Sequence, residues 1–408
     1  MRSLPVGSAW ELENVVTPLI RPPGGPLSRA LSGLDEGESW LVEPSRSSEN
    51  ERLVGPGVRW GVRRDSFTHQ VELFGPVLGV MEAEGVEHAL ELANATPYGL
   101  TAGLQSLDAG EQKLFVERAN AGNLYVNRPI TGAVVGRQPF GGRKDSSLGS
   151  GVKAGGPNTL LALARALGDR PKVASGPALT RGPRVASGAL AKTPARRTPP
   201  ELGVLGDIVA DLLRDLPVPP REVLARRLRS YENALTLELE PAHPQDDVLG
   251  HEDVFVYQPA RVAVVALHGT DELELVATLV AARFVQASVD VFLDESFTGP
   301  VVDRIVASGA SRFASTRALA GKLAERSYER LRLLAPAPGD ALATLGAVAP
   351  LVEAEPVSDS GYVELRRYVL EQSRSIAHHR YGNLSLYWAL QSAEKTRKAK
   401  AKARERKP

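Results

Sequence analysis

The sequence predicts an α/β protein with two folded domains, the second of them Rossmann-like and doubly wound. Two observations lead to this. Short strands alternate with helices between residues 86 and 127, and nearly continuous apolar strands alternate with helices after residue 260. Apolar strands of that second kind are typical of a parallel sheet that is covered on both faces.

The first domain is predicted over residues 1–168. Four small or apolar residues share one face of its first clear helix: Val86, Ala89, Leu90 and Ala93. Three further elements are predicted in chain order: a strand at 101–105, a helix at 109–119 and a strand at 123–127.

The second domain is predicted over residues 201–385 and begins with two amphipathic helices, at 202–213 and 221–235. Four strands follow, at 262–267, 289–293, 313–315 and 331–334. Thr270 is predicted to cap the helix after the first of these strands, and Pro300 to open the next helix. A final helix over 362–376 is predicted from a stripe of five residues: Tyr362, Leu365, Val369, Gln372 and Ile376.

Two segments lack the period of a helix or a strand. Residues 169–200 are rich in Pro, Gly, Ala, Ser and Arg and are predicted to be a flexible linker. Residues 386–408 form a basic tail, and its run from 394 to 408 contains no aromatic residue between the charges. A solvated terminus is therefore favoured over a nucleic-acid-binding tail, and no nucleic-acid partner is predicted.

Composition excludes several classes of function. The net charge is +1, so nothing draws the chain to nucleic acid or to an anionic membrane. No apolar run has the length of a membrane span and no signal peptide is evident, which predicts a cytoplasmic protein. Its 408 residues include no cysteine, which excludes disulfides and thiolate nucleophiles from this chain. No metal site is predicted, because the pair His378–His379 has no further ligand at metal-binding spacing.

Four motifs between residues 67 and 158 carry the functional signal: Glu72–Val77, Tyr98–Thr101, Gly122–Asn127 and Gln138–Gly142. In this order and spacing they resemble the aldehyde dehydrogenase superfamily. Residues 127–142 and 153–158 look more narrowly like L-glutamate γ-semialdehyde dehydrogenase, also called Δ1-pyrroline-5-carboxylate dehydrogenase, which forms one half of bacterial proline utilization A. Residues 253–259, 371–372 and 379–384 look like the C-terminal domain of that family.

Residue chemistry is consistent with binding of NAD and of a carboxylate. Glu72 can accept hydrogen bonds from ribose hydroxyls, and Phe74, on the same side of an extended segment, can pack on nicotinamide. A loop carboxylate and a core Phe are the alternative. The small residues Thr131, Gly132 and Ala133 suit an anion-binding turn.

Several site assignments come from the resemblance alone. It assigns the turn at 131–133 to the α-carboxylate of the substrate and makes Phe140 a wall for its aliphatic part. For Gly141 and Gly142, a simple glycine-rich connector remains the alternative.

The resemblance implies NAD-dependent oxidation of L-glutamate γ-semialdehyde to L-glutamate in proline degradation. That chemistry needs a cysteine thiolate. Residues 4–7 and 17–20 look like the stretch just after that cysteine, so the chain is expected to begin inside the catalytic domain and to lack most of the nucleotide-binding fold. It is also expected to contain no catalytic residue and to be inactive alone. The resemblance also implies FAD in a missing proline dehydrogenase domain, and either a homo-oligomer or association with a missing N-terminal half. A non-catalytic scaffold or partner subunit of a split enzyme is the alternative.

Overall fold

The computed structural model describes residues 3–147, 149–163, 201–245, 248–335, 339–346, 351–380 and 383–384. Its contacts divide the chain into two compact units. The first comprises Met1–Pro97 and Leu107–Asn120, and the second Tyr98–Ser106 and Ala121–Pro408. The predicted domain boundaries at 168, 200 and 385 fall in stretches outside the described residues and stay predictions, as do the linker and the basic tail.

The first unit contains a three-stranded sheet and several helices. Its strands are β1 (Ser39–Val42), β2 (Gly57–Trp60) and β3 (Val77–Val80), and its helices are α1 (Gly25–Ser32), α2 (Phe67–Gln70), α3 (Val86–Asn94) and α4 (Ala109–Arg118). Strand β2 pairs antiparallel with β1 and parallel with β3. The predicted helix at 109–119 is confirmed as α4, with Asp108 as its side-chain cap. Helix α3 is also confirmed, but it buries Leu90 and Leu92, whereas Ala89 and Ala93 are exposed.

The strands of the second unit that precede residue 245 are short. They are β4 (Tyr98–Gly99), β5 (Thr101–Leu104), β6 (Asn123–Val126), β7 (Arg143–Lys144) and β8 (His243–Pro244). The strands predicted at 101–105 and 123–127 are thus confirmed as β5 and β6.

Longer strands follow, and they build most of the sheets. They are β9 (His251–Pro259), β10 (Arg261–Ala266), β11 (Ser288–Asp294), β12 (Ser311–Phe313), β13 (Arg330–Leu333), β14 (Val352–Glu353), β15 (Val369–Ala377), β16 (His379–Arg380) and β17 (Asn383–Leu384). The strands predicted from 262, 289, 313 and 331 correspond to β10 to β13, each within two residues at its start.

Helices of the second unit lie mainly beside these strands. They are α5 (Val204–Asp215), α6 (Val218–Ala234), α7 (Glu272–Phe284), α8 (Pro300–Ala307), α9 (Thr316–Ala324), α10 (Gly339–Gly346) and α11 (Gly361–Glu364). Short 3₁₀ helices span Thr159–Leu163 and Leu365–Tyr368, and a π-helical turn spans Leu235–Leu239. Pro300 opens α8 as predicted. The cap of α7 is Asp271 and not Thr270, because the Asp271 carboxylate accepts from the Leu273 N–H.

A parallel five-stranded sheet, ordered β12-β11-β10-β13-β14, confirms the doubly wound prediction. Alternate residues of β10 belong to different cores. Val262 and Val264 pack with α5, α7 and α8, whereas Ala263 and Val265 pack with α9. Because side chains alternate across a strand, this partition shows that helices cover both faces of the sheet.

A second five-stranded sheet has the order β5-β6-β15-β9-β8. It combines β5 and β6, which lie between residues 101 and 126, with three strands that come after residue 242. Strand β15 pairs parallel with β6 and antiparallel with β9. The predicted helix over 362–376 is therefore wrong. Only Gly361–Tyr368 is helical, and Val369–Ala377 is a central strand, because backbone pairing with neighbours on both sides outweighs a helix-like spacing of apolar residues.

Within the described part of the chain, no helix combines the length and the apolar character that crossing a bilayer requires.

Candidate active site

Glu72 and Phe74 lie in the loop that connects α2 to β3 in the first unit. Both side chains are exposed, Phe74 by 84%. The Glu72 carboxylate has no hydrogen bond or ion pair among the described residues. Phe74 has φ 50°, in the left-handed region, so the extended segment assumed for these two residues does not extend through Phe74. A carboxylate and an aromatic face are thus both available to a ligand on one loop.

The predicted anion turn at Thr131–Ala133 follows β6 in the second unit. Gly132 has φ 75°, a conformation that favours glycine, and a Cβ placed there would meet no atom within 4 Å. Among the described residues, neither the Gly132 nor the Ala133 N–H has a hydrogen-bond partner. Open space and two free N–H groups are the features that a carboxylate-binding turn needs.

Gln138 closes the end of this loop. The Val134 N–H donates to Gln138 Oε1 at 2.9 Å, and the Gln138 N–H donates to the Val134 carbonyl at 3.0 Å. On its other side, Gln138 Nε2 donates to Asp253 Oδ1 at 2.8 Å and to Ser375 Oγ at 3.2 Å. Gln138 is 3% exposed. Its hydrogen bonds to Asp253 and Ser375 connect the loop to strands β9 and β15.

Asp253 is a buried carboxylate shared by several donors. It accepts hydrogen bonds from Gln138 and Ser375, and its Oδ2 lies 3.3 Å from the Arg137 guanidinium. The Arg128 guanidinium lies 3.8 Å from Oδ1. Two guanidinium groups therefore lie beside this carboxylate at the base of the loop.

Phe140 lies in a bridge with Ala154, which it joins by hydrogen bonds of 3.0 and 2.9 Å. Its side chain is 37% exposed, so part of the ring is available as a wall. The Pro139 carbonyl accepts from Asn123 Nδ2 at 3.1 Å and from the Ser373 hydroxyl. At Gly142 a Cβ would lie 2.1 Å from the Ser146 carbonyl oxygen, which explains this glycine by close backbone approach.

Lys153 is a buried amine beneath the same loop. Its Nζ donates to Asn123 Oδ1 at 2.9 Å and to the Gly141 carbonyl. Burial lowers the pKa of Lys153 to about 7, with a further lowering by Arg143, whereas Glu371 acts in the opposite direction. The amine therefore titrates in the neutral range, and it holds the backbone that follows Phe140.

Glu371 lies in β15 and connects this strand to Lys153 and Asn158 by hydrogen bonds. Glu371 Oε2 accepts from the Lys153 N–H at 2.7 Å, and Oε1 accepts from Asn158 Nδ2 at 2.8 Å. Asn158 also donates to the Tyr257 hydroxyl at 2.7 Å and accepts from the Tyr362 hydroxyl at 2.7 Å. Glu371, Ser373 and Ser375 are alternate residues of β15 that face the loop region, and we call them the β15 polar face.

Glu72 and Phe74 belong to the first unit, and residues 131–133 and Phe140 belong to the second. Among the described residues, no cluster of His, Asp and Glu has the arrangement of a metal site.

Comparison with known proteins agrees with the loop motifs. Residues 1–165 match the aldehyde dehydrogenase family. This part of the chain is similar to an aldehyde dehydrogenase family domain. The 1-pyrroline-5-carboxylate dehydrogenase of Geobacillus sp. (strain WCH70) is 48% identical to the chain over 109 residues, which are 27% of this chain and 21% of that protein. The enzyme of the same name from Bacillus subtilis (strain 168) is 32% identical over 161 residues, 39% of this chain and 31% of that protein.

The structure of proline utilization A from Corynebacterium freiburgense is similar over nearly the whole chain. It has 32% identity and a TM-score of 0.68, and the match covers 94% of this chain but 34% of that protein. The chain therefore spans about a third or less of the relatives that it matches.

Sequence reasoning did not find the residues that connect the part matching the aldehyde dehydrogenase family to the strands after residue 250. Gln138, Lys153 and Asp253 all lie inside motifs of the resemblance, but the sequence assigned no role to any of them. One local signal was present: polar residues recur with a period of two at Glu371, Ser373 and Ser375, which is typical of a strand face.

Proposed function

We propose that this chain supplies the NAD-binding and carboxylate-binding parts of a dehydrogenase that oxidises L-glutamate γ-semialdehyde to L-glutamate in proline degradation. The observation that carries the proposal is the open turn at Gly132 and Ala133. Its two free N–H groups lie in a loop whose base carries the guanidinium groups of Arg128 and Arg137 beside Asp253. The names of the relatives, 1-pyrroline-5-carboxylate dehydrogenase and proline utilization A, support the same substrate.

Each site residue then has a defined task. Gly132 and Ala133 donate their N–H groups to the α-carboxylate, and Thr131 adds its side-chain hydroxyl. The exposed part of the Phe140 ring packs on the aliphatic chain of the substrate. Together these contacts orient the substrate with its aldehyde directed away from the turn.

NAD fits the residues of the first unit. The exposed, unpaired Glu72 carboxylate can accept from two ribose hydroxyls, and the exposed Phe74 ring offers a face to nicotinamide. When bound, NAD accepts the hydride that leaves the substrate. The FAD of a proline dehydrogenase domain rests on the sequence resemblance alone, and no residue of this chain is assigned to it.

The nucleophile must come from outside these 408 residues, because they contain no cysteine. A thiolate attacks the aldehyde carbon in this class of reaction, and a hydroxyl is a far weaker nucleophile at neutral pH. We therefore propose that the chain acts in association with a second segment that carries the thiol, in the cytoplasm and as part of an oligomer.

The test is NADH formation from L-glutamate γ-semialdehyde, followed at 340 nm. We expect no turnover from the purified chain. We expect turnover when the chain is co-expressed with the portion of the Bacillus subtilis relative that it does not match, and none when the cysteines of that portion are replaced by alanine. Turnover by the chain alone would contradict the proposal. A stable complex without turnover would instead support a non-catalytic scaffold.

A further inference from the structure

We infer that Asp253 and Ser375, acting through Gln138, are positioning residues for the carboxylate-binding turn, so that strands β9 and β15 form part of the specificity site. This inference rests on the proposed function. It assigns a task in substrate selection to residues that lie more than 100 positions beyond the turn in sequence.

The first step is the orientation of the Gln138 amide. The Val134 N–H requires an acceptor, which only Oε1 can supply, and the Asp253 carboxylate requires a donor, which only Nε2 can supply. Both ends of the amide are satisfied in one orientation and neither in the flipped one. Gln138 therefore transmits the position of Asp253 to the backbone of Val134, two residues after Gly132.

The second step is the rigidity of Asp253. It is 1% exposed and lies directly opposite Ser375 in the antiparallel register of β9 and β15. Ser375 lies in turn opposite Tyr125 in the parallel register of β15 and β6. Asp253, Ser375 and Tyr125 thus form one row across three hydrogen-bonded strands, and a row of this kind can shift only if the sheet changes register.

The third step is the consequence for the turn. Residues 131–133 have no hydrogen bond of their own among the described residues, so their shape depends on the fixed points on either side. On the C-terminal side the nearest fixed point is the contact between Val134 and Gln138. Loss of that contact leaves the turn free to adopt conformations in which its N–H groups no longer converge on one anion.

The experiment compares binding of L-glutamate with binding of 4-aminobutyrate, which lacks the α-carboxylate, to the full-length chain by NMR titration. The variants are Gln138→Met, which keeps the side-chain length and removes the three side-chain hydrogen bonds, and Ser375→Ala, which removes one hydroxyl. Asp290→Asn is the matched control, since Asp290 accepts from Arg326 and Tyr328 in the parallel sheet. Hydrogen exchange of the Val134 amide is measured in all four proteins.

We expect the wild type and Asp290→Asn to prefer L-glutamate equally. Gln138→Met should reduce that preference about tenfold and Ser375→Ala about threefold, with affinity for 4-aminobutyrate unchanged. Val134 exchange should rise in Gln138→Met and in Ser375→Ala only. Equal loss of affinity for the two ligands, or an unchanged preference in both variants, would overturn the positioning role. If Gln138→Met does not fold, Ser375→Ala decides. Absence of any preference in the wild type would overturn the proposed function and, with it, this inference.

Discussion

The side-chain amide of Gln138 donates to the Asp253 carboxylate at 2.8 Å, although 115 residues separate the two in sequence. Both side chains are almost completely buried, and the contact joins a loop in the part that matches the aldehyde dehydrogenase family to strand β9. A buried carboxylate is stable only when charged or polar partners surround it, and Asp253 has partners on several sides. The loop and the strand therefore depend on each other for stability.

Asp253→Ala should lower the free energy of unfolding by about 3 kcal/mol, because it removes the acceptor shared by Gln138, Ser375 and Arg137 from a buried site. Urea denaturation followed by circular dichroism measures the change. Asp290→Ala, which removes a more exposed carboxylate, should cost less. An Asp253→Ala variant as stable as the wild type would show that the contact does not fasten the loop.

Lys153 predicts a specific pH dependence of stability. Its pKa is lowered to about 7 in the folded chain, by burial first, so the unfolded chain binds more protons between pH 7 and about 10.4. The free energy of unfolding should therefore rise with pH across that window, by at most about 5 kcal/mol from this group. Lys153→Met should flatten the rise. If the free energy of unfolding depended on pH in the same way in both proteins, the pKa of Lys153 would not be lowered in the folded chain.

Asn158→Asp should introduce a pH-dependent conflict with Glu371. Asn158 is fully buried and its Nδ2 lies 2.8 Å from Glu371 Oε1, so the variant places two carboxylates side by side, and Arg366, 3.5 Å from Glu371, offsets only part of their repulsion. A carboxylate there gains protons on folding, so stability should be highest at acidic pH and fall as the pH rises toward 8, by about 3 kcal/mol. Asn158→Leu is the control, and its deficit should be independent of pH across this range.

Substitutions of Phe74 can separate the cost of its left-handed backbone from the contribution of its ring to NAD binding. Its left-handed backbone costs a non-glycine residue about 1–2 kcal/mol, and its exposed ring contributes little packing. Phe74→Gly should therefore be about 1 kcal/mol more stable than Phe74→Ala. Both variants should bind NAD about tenfold more weakly, since both lose the ring. Calorimetry of unfolding and of NAD binding measures the two effects. A more stable alanine variant would contradict the left-handed backbone, and unchanged NAD affinity would contradict the role of the ring.

The parallel sheet was predictable because its strands carry their signal locally. Val262 to Ala266 are apolar on both faces, and such a run has few alternatives to a strand covered on both sides. Strand β15 was not predictable in the same way. Its residues Val369, Gln372 and Ile376 have helical spacing, whereas Glu371, Ser373 and Ser375 have strand spacing. Pairing with β6 and β9, which are distant in sequence, decides between the two.

The features of the candidate site were likewise predictable only where they depend on local sequence. Gly132 was recognisable because a turn with a left-handed residue favours glycine, and the structure places it at φ 75°. Its link to Asp253 was not recognisable, because nothing near Gln138 indicates which distant residue its amide meets. The lowered pKa of Lys153 likewise depends on burial and on Arg143, which are properties of the folded chain.

The central claim is that residues 131–133 form a carboxylate-binding turn within this chain. Titration of the ¹⁵N-labelled protein with L-glutamate, followed by the backbone amide resonances, tests it most directly. The account predicts that the Gly132 and Ala133 amides shift together and saturate with one dissociation constant, and that 4-aminobutyrate shifts them far less. Saturating shifts elsewhere in the chain, with Gly132 and Ala133 unmoved, would contradict it.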